Sequence, residues 1–127
     1  MSLSLAQASI EYHPRIKRAP PLLVSLVFSE NLLASEAKVD DLLDVISLWG
    51  VEGFYLVVRR SDRYRAGMDS TQLSNLLYLG YSLADVNKFE VVCGYSDLIT
   101  TLLHSVGVTA TATGWHNGLR QFSLARF

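Results

Sequence analysis

The residues best suited to chemistry stand in four short polar groups, each directly after an apolar run: Ser29, Glu30 and Asn31; Arg59, Arg60, Asp62 and Arg63; Gly94, Tyr95, Ser96 and Asp97; Gly114, Trp115, His116 and Asn117. Glu30, Asp97 and His116 are the candidates for acid or base work, His116 because an imidazole changes charge near neutrality. Arg59, Arg60 and Arg63 offer an anion clamp, since a planar guanidinium grips a carboxylate or phosphate through two parallel hydrogen bonds. Tyr95 and Trp115 would wall such a site. Gly114 would let the backbone turn, and Asn117 would cap a helix whose free N–H groups could receive an anion.

Each of these residues also has a structural duty open to it. Asn31, Ser96, Asp97 and Asn117 suit the helix N-cap, which strand-to-helix loops need whether or not they carry function. Glu30 can pair with Arg59 or Arg60 across neighbouring strand ends. Four of the eight arginines, Arg59, Arg60, Arg63 and Arg65, fall within seven residues, and a solvated loop would hold them equally well. If strand alternation persists past Val58, Arg59 and Arg60 point to opposite faces, so that one of them can converge with Arg63 on a ligand. Trp115 and His116 can seal the end of a sheet or an interface.

Other chemistries find no support. Cys93 is the one cysteine and sits behind Val91 and Val92, so it makes no internal disulfide and reads as a buried thiol. His13, His104 and His116 lack metal-ligand spacing. No cofactor is implied: neither the Gly-x-Gly-x-x-Gly loop of dinucleotide folds nor a phosphate loop ending in Gly-Lys-Ser/Thr occurs. A formal net charge of -1 supplies no field to recruit nucleic acid or an anionic membrane. With neither a leader pattern nor an uncharged run of membrane-spanning length, the expected location is cytoplasmic.

The elements that must position these groups follow from periodicity. Residues 1–21 read as a polar, basic arm (Arg15, Lys17, Arg18) closed by Pro20 and Pro21, and residues 22–127 as one α/β domain. Leu22 to Phe28 is a near-continuous apolar run, the mark of a strand buried on both faces. Val39, Leu42, Leu43, Ile46 and Trp49 then recur with helical spacing, with Asp40, Asp41 and Asp44 opposite. Ser35 is placed to cap that helix and Gly50 to end it. The alternation repeats: a strand over Gly53–Val58 and a helix through Leu73, Leu76, Leu77, Gly80, Leu83 and Ala84, opened by Asp69 or Ser70; a strand over Glu90–Cys93 and a helix through Leu98, Ile99, Leu102, Leu103 and Val106, closed by Gly107; a strand over Val108–Thr113 and a last helix beginning at Leu119, Phe122 and Leu124.

Strands joined through single helices must run parallel. Two architectures fit: an open doubly wound sheet, or an arc of a (β/α)8 barrel. Four units ending in the Gly-containing exit Thr113-Gly114-Trp115 resemble the last four units of a (β/α)8 (TIM-type) barrel, whose late strands often hold a phosphate. Either architecture gathers ligands at the carboxyl ends of the strands. Half of the chain is hydrophobic and 18% is charged, against about 25% charged in average soluble domains; apolar surface is therefore left for a partner, and a homo-oligomer is expected. Two functions stay open: binding or acting on a small anionic molecule at the strand exits, or non-enzymatic assembly completed by a partner chain. The sequence assigns no reaction.

Overall fold

The computed structural model describes residues 3–15, 20–60, 68–114 and 122. The chain alternates helix and strand as α1 (Leu3–Tyr12), β1 (Leu23–Ser29), α2 (Glu36–Ile46), β2 (Gly53–Arg59), α3 (Ser70–Tyr81), β3 (Glu90–Gly94), α4 (Thr100–Ser105) and β4 (Ala110–Ala112). The strands form one open parallel sheet in the order β1-β2-β3-β4. With crossovers of the usual right hand, consecutive order places every connecting helix on the same face. Contacts of α2 with α3 and of α3 with α4 fit that single layer. The sheet is thus wound in one direction, and a doubly wound sandwich, which needs a reversal of strand order, is not formed.

Register makes the two faces explicit. Val24, Phe54 and Val91 align, as do Leu26, Leu56 and Cys93. All six are buried and pack in one cluster with Val39 and Ile46 of α2, Leu76 and Leu79 of α3 and Leu103 of α4. The opposite face carries Leu23, Ser25, Val27 and Ser29 of β1, then Gly53, Tyr55, Val57 and Arg59 of β2, then Glu90, Val92 and Gly94 of β3, then Ala110 and Ala112 of β4. Here Leu23 and Val27 are 39% and 42% exposed. β1 is therefore buried on one face only, not on both as its apolar run suggests; the run cannot reveal that the connecting helices all fall on one side. Val57 is buried on the bare side, outside the main cluster.

Local signals explain the helices. α2 buries Val39, Leu43 and Ile46 and turns its aspartates outward; it ends at Ser47, before Trp49 and Gly50. Ser35 occupies the N-cap without a side-chain cap bond, whereas Asp69 caps α3 by accepting from the Gln72 N–H at 2.9 Å. Asn75, buried within α3, donates from Nδ2 to the Leu33 carbonyl at 2.8 Å and ties the first strand-helix loop to the helix layer. Past Tyr81 the helix widens into a π turn, Ser82–Val86, which keeps Leu83 fully buried. Gly107, at φ +92, ends α4 in the left-handed region as expected.

Three further expectations change. Residues 3–12, read as part of an arm, form a helix whose Ala6 is buried in the core cluster. Leu98 is 84% exposed and Leu102 largely exposed, because the chain enters α4 through a 3-10 turn, Asp97–Ile99, that rotates both out; Leu103 alone of α4 is buried. Phe122 does not begin a helix: it forms a parallel bridge with Arg59. Leu119 and Leu124 lie outside the described residues. Among the described residues no helix is long and apolar enough to cross a membrane.

Candidate functional site

At the carboxyl ends of the strands, parity sorts the polar groups onto two sides of the sheet. Glu30 and Arg60 continue the helix-side register of Phe28 and Val58. They meet there as an ion pair, Arg60 Nε to Glu30 Oε2 at 2.9 Å, with both side chains 13% exposed. The backbone holds this pair in register, because the Glu30 N–H donates to the Arg59 carbonyl at 3.0 Å. Arg59, one residue earlier, falls on the bare side beside Ser29. It is exposed, and it makes no ion pair with a described residue. The alternation that separates Arg59 from Arg60 thus holds to the last residue of β2.

Beyond Gly94 the ladder changes partners. Tyr95 adopts φ +56, a left-handed conformation uncommon for a residue with a Cβ, and this turns the chain away from β2. Phe122 takes up the position alongside Arg59 that β3 leaves, and the Arg60 N–H donates to the Phe122 carbonyl at 2.8 Å. The Tyr95 and Phe122 rings lie 5.6 Å apart, tilted by 54°. Ser96, almost fully buried, donates its N–H to the Ala112 carbonyl at 3.2 Å and so closes the β3 exit onto β4.

Among the described residues, two concavities border the β3 exit. The first, of about 150 Å³, lies on the helix side between the β2 and β3 exits and the helices behind them; Val58, Leu76 and Cys93 line it with Arg60 and Tyr95. Burial pushes the Cys93 thiol up to about 11, so it stays protonated at neutral pH and is no nucleophile. The second, of about 300 Å³ and shallow, lies on the bare side between Tyr55, Tyr95, Ala112, Thr113 and Gly114. Its shape depends on Gly94: a Cβ there would collide with the Tyr55 hydroxyl and come within 2.7 Å of Cζ. The missing side chain lets Tyr55 lie over β3.

The residues chosen from sequence divide accordingly. Arg60 and Glu30 come together on the helix side; Arg59 stands on the bare side; Tyr95 borders both concavities, and Gly114 lines the second. Asp97 opens the 3-10 turn, for which Ser96 provides the N-cap, and Asn31 sits in a turn where its N–H is 3.3 Å from Ser29 Oγ. Arg63, Trp115, His116 and Asn117 lie outside the described residues, as does the side chain of Asp97. Sequence reasoning missed Tyr55 and Phe122. Tyr55 was legible in principle, since it shares the odd-numbered face of β2 with Arg59. Nothing local marks Phe122 as a partner of β2.

Charge differs between the two ends of the bare face. Arg59 marks the carboxyl end, while Glu90 begins β3 at the amino end, next to Glu52. The Glu52 carboxylate accepts the Leu22 N–H at 2.6 Å, and this backbone bond holds its pKa below the ordinary value. Among the described residues, the positive charge of this face thus lies at the strand exits and the negative charge at the strand starts. No protein-family model, no curated protein and no solved structure matches this chain.

Proposed function

We propose that the strand-exit end of the bare face binds a small anionic molecule carrying a phosphate or carboxylate. Arg59 serves as its charged anchor, Tyr55 and Tyr95 as walls and phenolic donors, and Gly114 as the close backbone approach. The observation that supports this most is the division of labour between adjacent arginines. Arg60 is engaged by Glu30 on the helix side, whereas Arg59 is exposed on the other, the face of β2 from which Tyr55 reaches the aromatic-lined depression. A desolvated guanidinium already paired adds little for a ligand, while an exposed one can form bidentate bonds without first breaking an ion pair.

Calorimetric titration with inorganic phosphate and a panel of sugar phosphates tests the reading. Saturable binding that falls at least tenfold in Arg59→Ala and is kept in Arg60→Met supports it. Equal affinity in wild type and Arg59→Ala, or no binding at all, refutes it.

A second reading, assembly by association with another chain, is favoured by a different observation. An all-parallel sheet occurs almost only with both faces covered, and here Leu23 and Val27 of β1 stand exposed on the face that no described helix covers. Under that reading the four strand-helix units are an arc of a (β/α)8-type barrel, in keeping with their one-way winding.

A further inference from the structure

We infer that the bare face is closed by a second copy of this chain, two four-stranded arcs joining edge to edge into one eight-stranded ring whose mouth holds both copies of the strand-exit site. The inference deepens the assembly reading and does not depend on the ligand. Three observations carry it.

The first is the edge. The Glu30 N–H bonds to the Arg59 carbonyl, so even-numbered residues of β1 direct their backbone groups to β2. By alternation Leu23, Ser25 and Val27 direct theirs outward, along an edge that no described strand covers. Among the described residues β4 leaves a second edge without a neighbouring strand at the far side of the sheet. A two-fold axis along the ring pairs β1 of each copy with β4 of the other and removes all four edges at once.

The second is area. Four strands about 4.8 Å apart and five to six residues long at ~3.3 Å per residue present roughly 350 Å² of bare face. Two such faces stacked flat give roughly 700 Å², short of the ~1,200 Å² usual for a stable interface. Ring closure adds two strand edges and the outer flanks of the helix layer. Edge closure, and not flat stacking, therefore reaches the size a stable dimer needs.

The third is the filling of the interior. A ring of eight strands is just wide enough to be filled by its own side chains. This face carries large side chains (Leu23, Val27, Tyr55, Val57, Val92) interspersed with small ones (Ser25, Gly53, Gly94, Ala110, Ala112). The two-fold axis along the ring sets each strand opposite its own copy, so Tyr55 and Val57 meet their counterparts across the interior while the small residues of β4 meet theirs.

Parallel closure keeps all eight exits at one end, so Arg59 and the partner's Arg59 share one mouth and an anion bound there touches both copies. Light scattering of the full chain in anion-free buffer across the micromolar range is expected to give twice the 14.1 kDa chain mass. Ser25→Pro, which removes an outward N–H of β1 without touching the β1–β2 ladder, and Val27→Glu on the bare face should each return the monomer mass. Leu48→Glu, in the exposed turn after α2, should leave the dimer intact. A wild-type monomer, any other mass, or a dimer that survives both substitutions overturns the inference. So does a dimer lost in Val27→Glu but kept in Ser25→Pro, which would mean flat stacking. If either variant loses its helical circular dichroism, amide exchange of the wild type decides: protection at Ser25 and Val27 that rises with concentration supports closure, and concentration-independent exchange refutes it. Anion titration is performed separately, so failure of the ring and failure of the ligand site are distinguishable.

Discussion

Replacing Glu30 by Gln or Arg60 by Met tests the division between the two arginines at its structural end. An exposed ion pair contributes about 0–1 kcal/mol, whereas removing one partner of a fully buried pair costs about 3–5 kcal/mol. At 13% exposure of both side chains and 2.9 Å between Nε and Oε2, this pair lies toward the buried limit after some solvent screening, and each single substitution should cost about 2 kcal/mol. For a domain of this size that is a fall in Tm of roughly 6–10 °C. Glu30 and Arg60 make further interactions, so the singles measure more than the pair. A double-mutant cycle by urea unfolding isolates it, with an expected coupling of about 1–2 kcal/mol. Singles costing under about 0.5 kcal/mol would place the pair among ordinary surface contacts. Loss of phosphate affinity in Arg60→Met with native stability would refute the assignment of Arg60 to structure and Arg59 to ligand.

Two glycines give a contrast. A Cβ on Gly53 would strike the backbone carbonyl of Glu90 and approach Leu23 Cδ2 to 2.8 Å, whereas one on Gly94 meets only the far end of the Tyr55 side chain. Gly53→Ala should therefore cost about 2–3 kcal/mol, and Gly94→Ala under about 1 kcal/mol while swinging Tyr55 out of the depression, by thermal unfolding and tyrosine fluorescence. Asp69→Ala removes the cap bond to the Gln72 N–H and should cost about 1 kcal/mol in the same assay. Cys93 should resist a disulfide reagent at pH 8 in the native protein and react fully in urea. Because its thiol is raised from 9.0 to about 11, the unfolded chain loses that proton first. Its contribution to stability is therefore fully present below pH 9 and is lost as pH rises to 11. A Tm independent of pH across that window in wild type, or equal to that of Cys93→Ala throughout, would count against the burial.

The parallel strand-helix alternation was legible because helices and strands leave different marks: Val39, Leu43 and Ile46 recur in steps of three and four, whereas Leu22 to Phe28 is a short, near-continuous apolar run. What periodicity does not encode is which strands become neighbours or on which face a crossover falls. The apolar run of β1 therefore suggested burial on both sides, although Leu23 and Val27 remain exposed. The placement of Arg59, Arg60, Glu30 and Tyr95 at the strand exits was legible, because polar residues directly after an apolar strand are a local signal. Phe122 was misread as helical because its place beside Arg59 depends on β3 turning away at Tyr95, a long-range event with no pattern in residues 119–124. Tyr55 was passed over because its place in the depression depends on the space at Gly94, opposite Val57 on the next strand.

The separation of Arg59 from Arg60 follows from the register of a single strand, and so do its consequences. Phe28 pairs with Val58 and Ser29 with Arg59, so a one-residue slip of β2 would exchange the two guanidiniums between faces and bury Tyr55 against the helices. Burying Phe54, Leu56 and Val58 on the helix side makes that slip costly. The core that excludes water behind the sheet is therefore also what sets Arg59, which makes no ion pair with a described residue, in front of it. A helix-side clamp would have to displace Glu30 from a partly desolvated pair, and the bare side meets no such barrier. Under the proposed reading an anion binds on the face opposite the described helices, where closure by a second copy would remove water from around Arg59 and strengthen its hold on the anion.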